Sequence, residues 1–251
     1  MRLLIIFLFV SNICQAQYMF NGWKFRGAPS GSNGLAAIVV FYAKLDEASG
    51  TVVDSKSANN GTATSVTYSA TGKLNTGIST TGGGIDFGDP AALRLSNKGS
   101  ISLWVNFSDV SLVPLILGKI NYATDRSGYS LGLAGSQFFF ELASSTAVNQ
   151  LTVTGTLAVS TWYHVVITWD GSIIKSYVNG AFQNSVSQTV NGATTGTLHL
   201  TLFEGYNGTD YAHFFMQGTL DEVGIFNDAL NATQVTTLYN SGTPLAYSSF
   251  N

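Results

Sequence analysis

The stretch Thr161-Trp-Tyr-His-Val-Val-Ile-Thr-Trp-Asp-Gly-Ser-Ile-Ile-Lys-Ser-Tyr-Val-Asn-Gly180 decides the fold class of the chain. Two runs of β-branched and aromatic residues are punctuated by Asp170-Gly171 and by Asn179-Gly180. Asp-Gly and Asn-Gly tolerate φ > 0 at both central positions of a type I′ turn, whose twist suits a two-residue hairpin. The pattern predicts strand, tight turn, strand, tight turn. Successive hairpins make an antiparallel sheet.

Similar runs recur on both sides, at 37–43, 51–53, 64–68, 84–87, 100–107, 112–119, 129–133, 138–142 and 151–154. Further runs follow at 185–190, 197–203, 211–216 and 218–226. Many short strands separated by turn residues are the pattern of an all-β sandwich or jelly roll. Within 100–107, Ile101, Leu103 and Val105 alternate with Ser102, Trp104 and Asn106, which predicts a half-buried strand. The one helical signal is Asn231-Ala-Thr-Gln-Val-Thr-Thr-Leu-Tyr-Asn240. There Asn231 can cap the helix, Gln234 can reach back to it, and Val235, Leu238 and Tyr239 share a face. A single short C-terminal helix over the sandwich is expected.

Composition agrees. Hydrophobic residues make up 45% of the chain and charged residues 10%, with 27 Gly, which suits strands and tight turns rather than a helical bundle. With 11 Lys+Arg against 14 Asp+Glu and no basic stripe, nucleic acid is excluded as the expected partner.

The N-terminus places Arg2 before an apolar run from Leu3 to Val10, with small residues Cys14 and Ala16 at the −3 and −1 places of a cleavage site. This predicts a secretory signal peptide over 1–16, and the run is too short for a permanent membrane span. Cys14 is the only cysteine, so a cleaved chain would have neither disulfides nor thiolate chemistry. Residues 17–36 read as a flexible segment, with Gly27-Ala-Pro-Ser-Gly-Ser-Asn-Gly34 as a connector, and the folded domain is expected over 37–245.

Four ordered segments resemble the laminin-G-like members of the concanavalin A-like lectin/glucanase superfamily. They are Phe41-Tyr-Ala-Lys-Leu-Asp-Glu-Ala-Ser-Gly-Thr-Val-Val-Asp-Ser55 with Asn59-Asn-Gly61, and Gly84-Ile-Asp-Phe-Gly88 with Ser100-Ile-Ser-Leu-Trp-Val105. The third is Thr161–Gly171 with Tyr177-Val-Asn-Gly180, and the fourth is Gly218-Thr-Leu-Asp-Glu-Val-Gly-Ile-Phe-Asn-Asp-Ala-Leu230. The resemblance implies a jelly roll of two packed antiparallel sheets. It also implies one structural Ca²⁺ held by the early polar loop and the late strand, at Asp54, Asn59, Asn60 and Asp221. Such oxygen-rich loops supply the carboxylates, amides and carbonyls that Ca²⁺ takes. Ser57-Ala58 stands where the family's loop often carries Gly-Asn.

Glucanases of this superfamily carry alternating acids, Glu-x-Asp-x-x-Glu, on one strand face. No such stretch occurs here: Glu141 stands alone, and adjacent Asp221 and Glu222 are expected on opposite sides of a strand. Gly82-Gly-Gly84 reads as a turn. His164, Trp162 and Trp169 read as packed strand residues. The chain is therefore expected to bind rather than to catalyse.

A glycan site is expected in the loop Phe203-Glu-Gly-Tyr-Asn-Gly-Thr-Asp-Tyr211, at Tyr206, Asn207, Asp210 and Tyr211. Aromatic faces there can stack on sugar rings while amide and carboxylate groups fix hydroxyls. The loop 121–129 is a second candidate. Two roles follow: a secreted non-catalytic module that binds a glycan or a surface protein, or an adhesion or decoration component of a virion or cell surface. In the second, residues 17–36 would dock onto a larger assembly.

Overall fold

Ile101, Leu103, Val105 and Phe107 fall on one face of a strand because strand side chains alternate, and all four are fully buried. The computed structural model that shows this describes residues 32–57, 59–120, 127–153, 155–192, 198–206, 211–212 and 215–251. It divides the chain into Met1–Ser32, almost wholly outside the described residues, and the unit Asn33–Asn251. The expected signal peptide, and residues 17–31 of the expected flexible segment, lie outside the described residues.

In chain order, the strands of that unit begin with β1 (Val39–Ala43), β2 (Thr62–Thr64), β3 (Thr67–Thr71), β4 (Thr76–Thr80), β5 (Gly84–Asp86) and β6 (Gly99–Phe107). Then come β7 (Leu115–Ile120), β8 (Gly128–Leu133), β9 (Phe138–Ser144), β10 (Ala147–Thr152), β11 (Trp162–Trp169) and β12 (Ile173–Val178). The last are β13 (Ala181–Ser187), β14 (Thr201–Leu202), β15 (Gly205–Tyr206), β16 (Tyr211–Ala212) and β17 (Gly218–Phe226). Helix α1 is Leu35–Ile38 and helix α2 is Ala232–Tyr239.

One sheet runs β13-β12-β11-β6-β17-β4-β3, with β1 also paired to β17. The other runs β10-β9-β8-β7-β14-β5-β2, and the pairings within both are antiparallel. Leu103, Val165, Ile167 and Trp169 face Leu117, Leu131, Phe140 and Leu142 in one shared core. Trp169 lies 5.7 Å from Tyr129 and 5.6 Å from Phe140 between ring centroids, which ties the sheets together. The fold is a jelly-roll sandwich with one short C-terminal helix, as the alternation and the resemblance imply.

The Asn179-Gly180 turn has φ of 51° and 77°, and Val178 pairs with Ala181 across it, as its sequence predicts. Asp170-Gly171 behaves differently. Trp169 pairs with Ile174, which leaves a longer loop, and only Gly171 has positive φ, at 91°. The Asp170 carboxylate accepts the Ser172 and Ile173 N–H groups at 2.9 Å each, so a side-chain turn replaces the two-residue one.

Other boundaries move for identifiable reasons. The predicted strand over 64–68 breaks at Ser65, whose φ of 54° sends β2 and β3 to different sheets. Residues 35–38 form α1 rather than the start of a strand, and Leu35 is fully buried, so order begins before residue 37. The 112–119 run pairs only from Leu115, and Leu112 and Val113 are exposed. Strand β4 was not anticipated, because Thr76-Gly-Ile-Ser-Thr80 reads locally as turn sequence.

Helix α2 carries the expected capping box: Asn231 accepts the Gln234 N–H at 3.0 Å, and Gln234 accepts the Asn231 N–H at 3.1 Å. It buries Val235 and Leu238 in a second cluster on the outer face of the first sheet, with Val166, Tyr177 and Phe226. Tyr239 stacks on Trp104 and His164, so Ser102 and Trp104 are buried too, not exposed as on a half-covered strand. His164 is a packed residue that meets Ser102 Oγ at 2.9 Å, and burial pushes its pKa down to about 3. Trp169 is core. Trp162, expected there as well, is half-buried outside both clusters on the outward side of β11.

Candidate pocket at a corner of the sandwich

The chain crosses between sheets twice at one corner, from β2 to β3 through Ser65 and from β4 to β5 through Gly82 and Gly83. The crossings touch. A Cβ on Gly83 would stand 2.2 Å from the Thr64 carbonyl oxygen, so only glycine lets them approach this closely. Thr80 Oγ1 accepts the Gly82 and Gly83 N–H groups at 3.0 and 2.6 Å and fixes the second crossing.

Beside this corner is a cavity of about 410 Å³ lined by Thr62, Thr64, Ser65, Gly82–Gly84, Asp86, Glu204 and Phe215. Register explains most of the set. Ile85 points into the core, so Gly84 and Asp86 point out, and Thr64 and Thr62 stand opposite them. Asp86 also pairs with Thr201, which pairs with Gly118; Ser130, Glu141 and Gln150 continue the same row to the far edge. The outer face of this sheet thus carries one polar row from end to end.

Glu204 arrives by a backbone irregularity. Phe203 has φ of 68°, a conformation that costs a non-glycine residue about 1–2 kcal/mol. In return, Leu202 and Phe203 both reach the core and the next side chain turns out across the sheet. The Glu204 carboxyl lies against Gly84, and a Cβ there would be 2.2 Å from Glu204 Cδ. Glu204 is 6% exposed, and no described group donates a hydrogen bond to its carboxyl. Burial, then the nearby charge of Asp86, pushes its pKa up to about 7. Asp86 is held differently: its oxygens meet His199 Nδ1 at 3.0 and 2.8 Å, and Oδ1 accepts the Gly88 N–H at 2.6 Å.

The family model for laminin G-type domains of the concanavalin A-like lectin/glucanases superfamily matches residues 79–236. The chain belongs to this superfamily. No curated protein sequence matches it. Among solved structures it is similar to the binding domain of paraclostridial mosquitocidal protein 1, with TM-score 0.67 and 16% identity over 82% of this chain and 53% of that one. It is also similar to domain 4 of AbnA, an extracellular arabinanase of Geobacillus stearothermophilus, in complex with arabinotriose. There the TM-score is 0.62 and identity 21%, over 80% of this chain and 98% of that one. A third likeness is the binding domain of botulinum neurotoxin DC in complex with rat synaptotagmin II, with TM-score 0.59 and 15% identity over 82% and 52%. The chain spans about half the length of the two toxin domains. These likenesses concern the fold.

The residues expected to hold Ca²⁺ take part in hydrogen bonds that hold loops. Asp54 Oδ1 accepts the Tyr42 and Lys56 N–H groups at 3.1 and 3.0 Å, and Oδ2 accepts from Ser57 Oγ and Asn59 Nδ2. Asn60 Oδ1 accepts the Asp54 N–H at 3.0 Å. Asp221 Oδ2 accepts the Lys73 and Leu74 N–H groups at 2.6 and 2.7 Å, and its Oδ1 is buried with no hydrogen-bond partner. The charges that bear on Asp221 are those of Glu222 and Asp46 rather than Asp54. As arranged, these residues hold loops through those hydrogen bonds, with Asp221 Oδ1 left over. Among the described residues, no group of three or more acidic, imidazole or thiol side chains could hold a metal.

Asp221 and Glu222 do not take opposite faces. A β-bulge follows Asp221, and Glu222 has φ of 50°, so Leu220 and Val223 both enter the core with the two acids between them. The Tyr42 hydroxyl donates a short hydrogen bond to Glu222. Burial pushes Asp221 up to about 8 and Glu222 up to about 7.

Of the expected glycan loop, Asn207 and Asp210 lie outside the described residues. Tyr206 pairs with Tyr211 through the β15–β16 ladder. That ladder directly follows Glu204, so the expected loop is the chain's continuation from the pocket wall. The second candidate loop lies outside the described residues except for Ser127, Gly128 and Tyr129. Sequence reading missed Asp86, His199 and Glu204. The one available signal was an acid placed directly after a hydrophobic pair in Leu202-Phe-Glu204.

Proposed function

We propose that the chain is a secreted, non-catalytic carbohydrate-binding module whose ligand enters the corner pocket. The observation that carries this is the Glu204 carboxyl, buried at the pocket wall without a hydrogen-bond donor. Its oxygens face the cavity rather than a protein donor, so a ligand hydroxyl can take the place of water there. Thr62, Thr64 and Ser65 add hydroxyls, Asp86 adds a fixed carboxylate, and Phe215 adds an apolar wall. A few convergent polar groups with an aromatic side are what a sugar site requires. The similar arabinanase domain was solved with arabinotriose, which supports a sugar as ligand, while the similar neurotoxin domain was solved with a protein.

Tyr206, Asn207, Asp210 and Tyr211 follow Glu204 in the sequence and are the residues proposed to add stacking and amide contacts to the ligand. Export follows processing after Ala16. A glycan array on folded protein tests the binding role. Binding that disappears in Gly82→Leu, where a Cβ meets nothing within 4 Å and the added side chain narrows the pocket, supports it. A blank array on folded wild type contradicts it.

A further inference from the structure

We infer that the pocket selects sugars presenting hydroxyl or ammonium donors, neutral and amino sugars, and rejects those carrying carboxylate or sulfate. This rests on the carbohydrate-binding role proposed above.

The lining determines the sign of the site. The polar side chains of its described lining end in oxygen: three hydroxyls, from Thr62, Thr64 and Ser65, and two carboxyls, from Asp86 and Glu204. Among the described residues, no Lys or Arg lines it. The Gly82 and Gly83 N–H groups, which could otherwise receive an anion, already donate to Thr80 Oγ1. Among the described residues, the imidazole of His199 is turned to both oxygens of Asp86. An incoming carboxylate or sulfate would find the hydroxyls of Thr62, Thr64 and Ser65 as its donors on the described lining, and would stand beside the Asp86 and Glu204 carboxyls, whose negative charge repels it.

A donor is met differently. Glu204 is nine-tenths buried and accepts from no described group, so its oxygens are available to a ligand O–H or N–H. Asp86 is an oriented acceptor because His199 and the Gly88 N–H hold it in place. Charge-assisted hydrogen bonds to carboxylates are about twice as strong as neutral ones, and an ammonium makes the strongest of them. A cavity of about 410 Å³ has room for one or two sugar rings, so a single substituent decides the fit.

The test is affinity for three probe sets matched in length: arabino- and gluco-oligosaccharides, chitosan oligomers, and oligogalacturonates with sulfated oligosaccharides. Wild type should bind the first two sets and bind the anionic set at least tenfold more weakly. Glu204→Gln, with folding checked by circular dichroism, should weaken binding of both sets and weaken chitosan oligomers at least tenfold more than neutral sugars, because the charge is lost while an oxygen acceptor is kept. Anionic sugars binding as tightly as neutral ones, unchanged by Glu204→Gln, would overturn the selectivity while leaving sugar binding in place. Silence from all three sets on folded protein would overturn the selectivity and the binding role together.

Discussion

A Cβ built on Gly84 would stand 2.2 Å from Cδ and 2.3 Å from Oε1 of Glu204, so the missing side chain of one residue houses the carboxyl of the other. Gly84→Ala must therefore displace Glu204, the end of a flexible side chain. Overpacking of this kind costs about 1–3 kcal/mol, and the mobile partner places this case at the lower end. Calorimetric titration should show at least a tenfold loss of sugar affinity, while thermal melting shows a folded protein a few degrees less stable. Unchanged affinity would separate Glu204 from the ligand.

Asp221 makes stability depend on pH. Its folded pKa of about 8 lies above the usual carboxylate value of about 4, so the folded chain keeps a proton that the unfolded chain releases. The contribution is complete below about pH 4 and is lost as pH rises through 8. Glu222 and Glu204, both pushed up to about 7, act in the same direction. His164, pushed down to about 3, acts oppositely, but its contribution is present above its usual pKa of about 6.5 and lost only as pH falls towards 3. The melting temperature should therefore fall by several degrees between about pH 6.5 and 8.5, at about 2–4 °C per kcal/mol. Asp221→Asn should flatten that slope. An equally steep slope in the variant would assign the effect to other groups.

The strands were legible where apolar residues alternate, as in Ile101-Ser-Leu-Trp-Val105, or where a dipeptide forces the backbone, as at Asn179-Gly180. The capped helix was legible because Asn231 and Gln234 lie one turn apart. What escaped was long-range. Trp104 is buried by Tyr239, and nothing near residue 104 in sequence announces that cover. The pocket joins residues 62–86 to Glu204 across more than a hundred positions. Its geometry depends on positive φ at Ser65 and Phe203, which their residue types do not signal. Asp221 and Glu222 defeated simple alternation because the bulge adds one residue between pairing partners.

Asn231→Ala removes the acceptor for the Gln234 N–H and half of the capping box. Loss of such a cap costs about 0.5–2 kcal/mol. Urea unfolding should show a lower midpoint with an unchanged slope. Because α2 carries Tyr239 onto Trp104 and His164, near-ultraviolet circular dichroism should weaken as well. Neither change should alter sugar affinity, since α2 covers the other sheet.

Asp54, Asn60 and Asp221 already receive N–H donors, so chelation should matter little. Melting in a millimolar excess of EDTA should stay within about 1 °C of the untreated value, because an ion that is not bound contributes no linkage stability. A fall of about 5 °C or more would restore Ca²⁺ to this fold.

The corner pocket is best tested by two-dimensional ¹H–¹⁵N NMR titration of the labelled chain with the tightest neutral oligosaccharide from the array. Amides of Gly82–Asp86, Thr62–Ser65 and Glu204 should shift progressively and saturably, with little change along α2. Saturable shifts confined to other surfaces, with these amides unmoved, would contradict the assignment of the pocket as the sugar site.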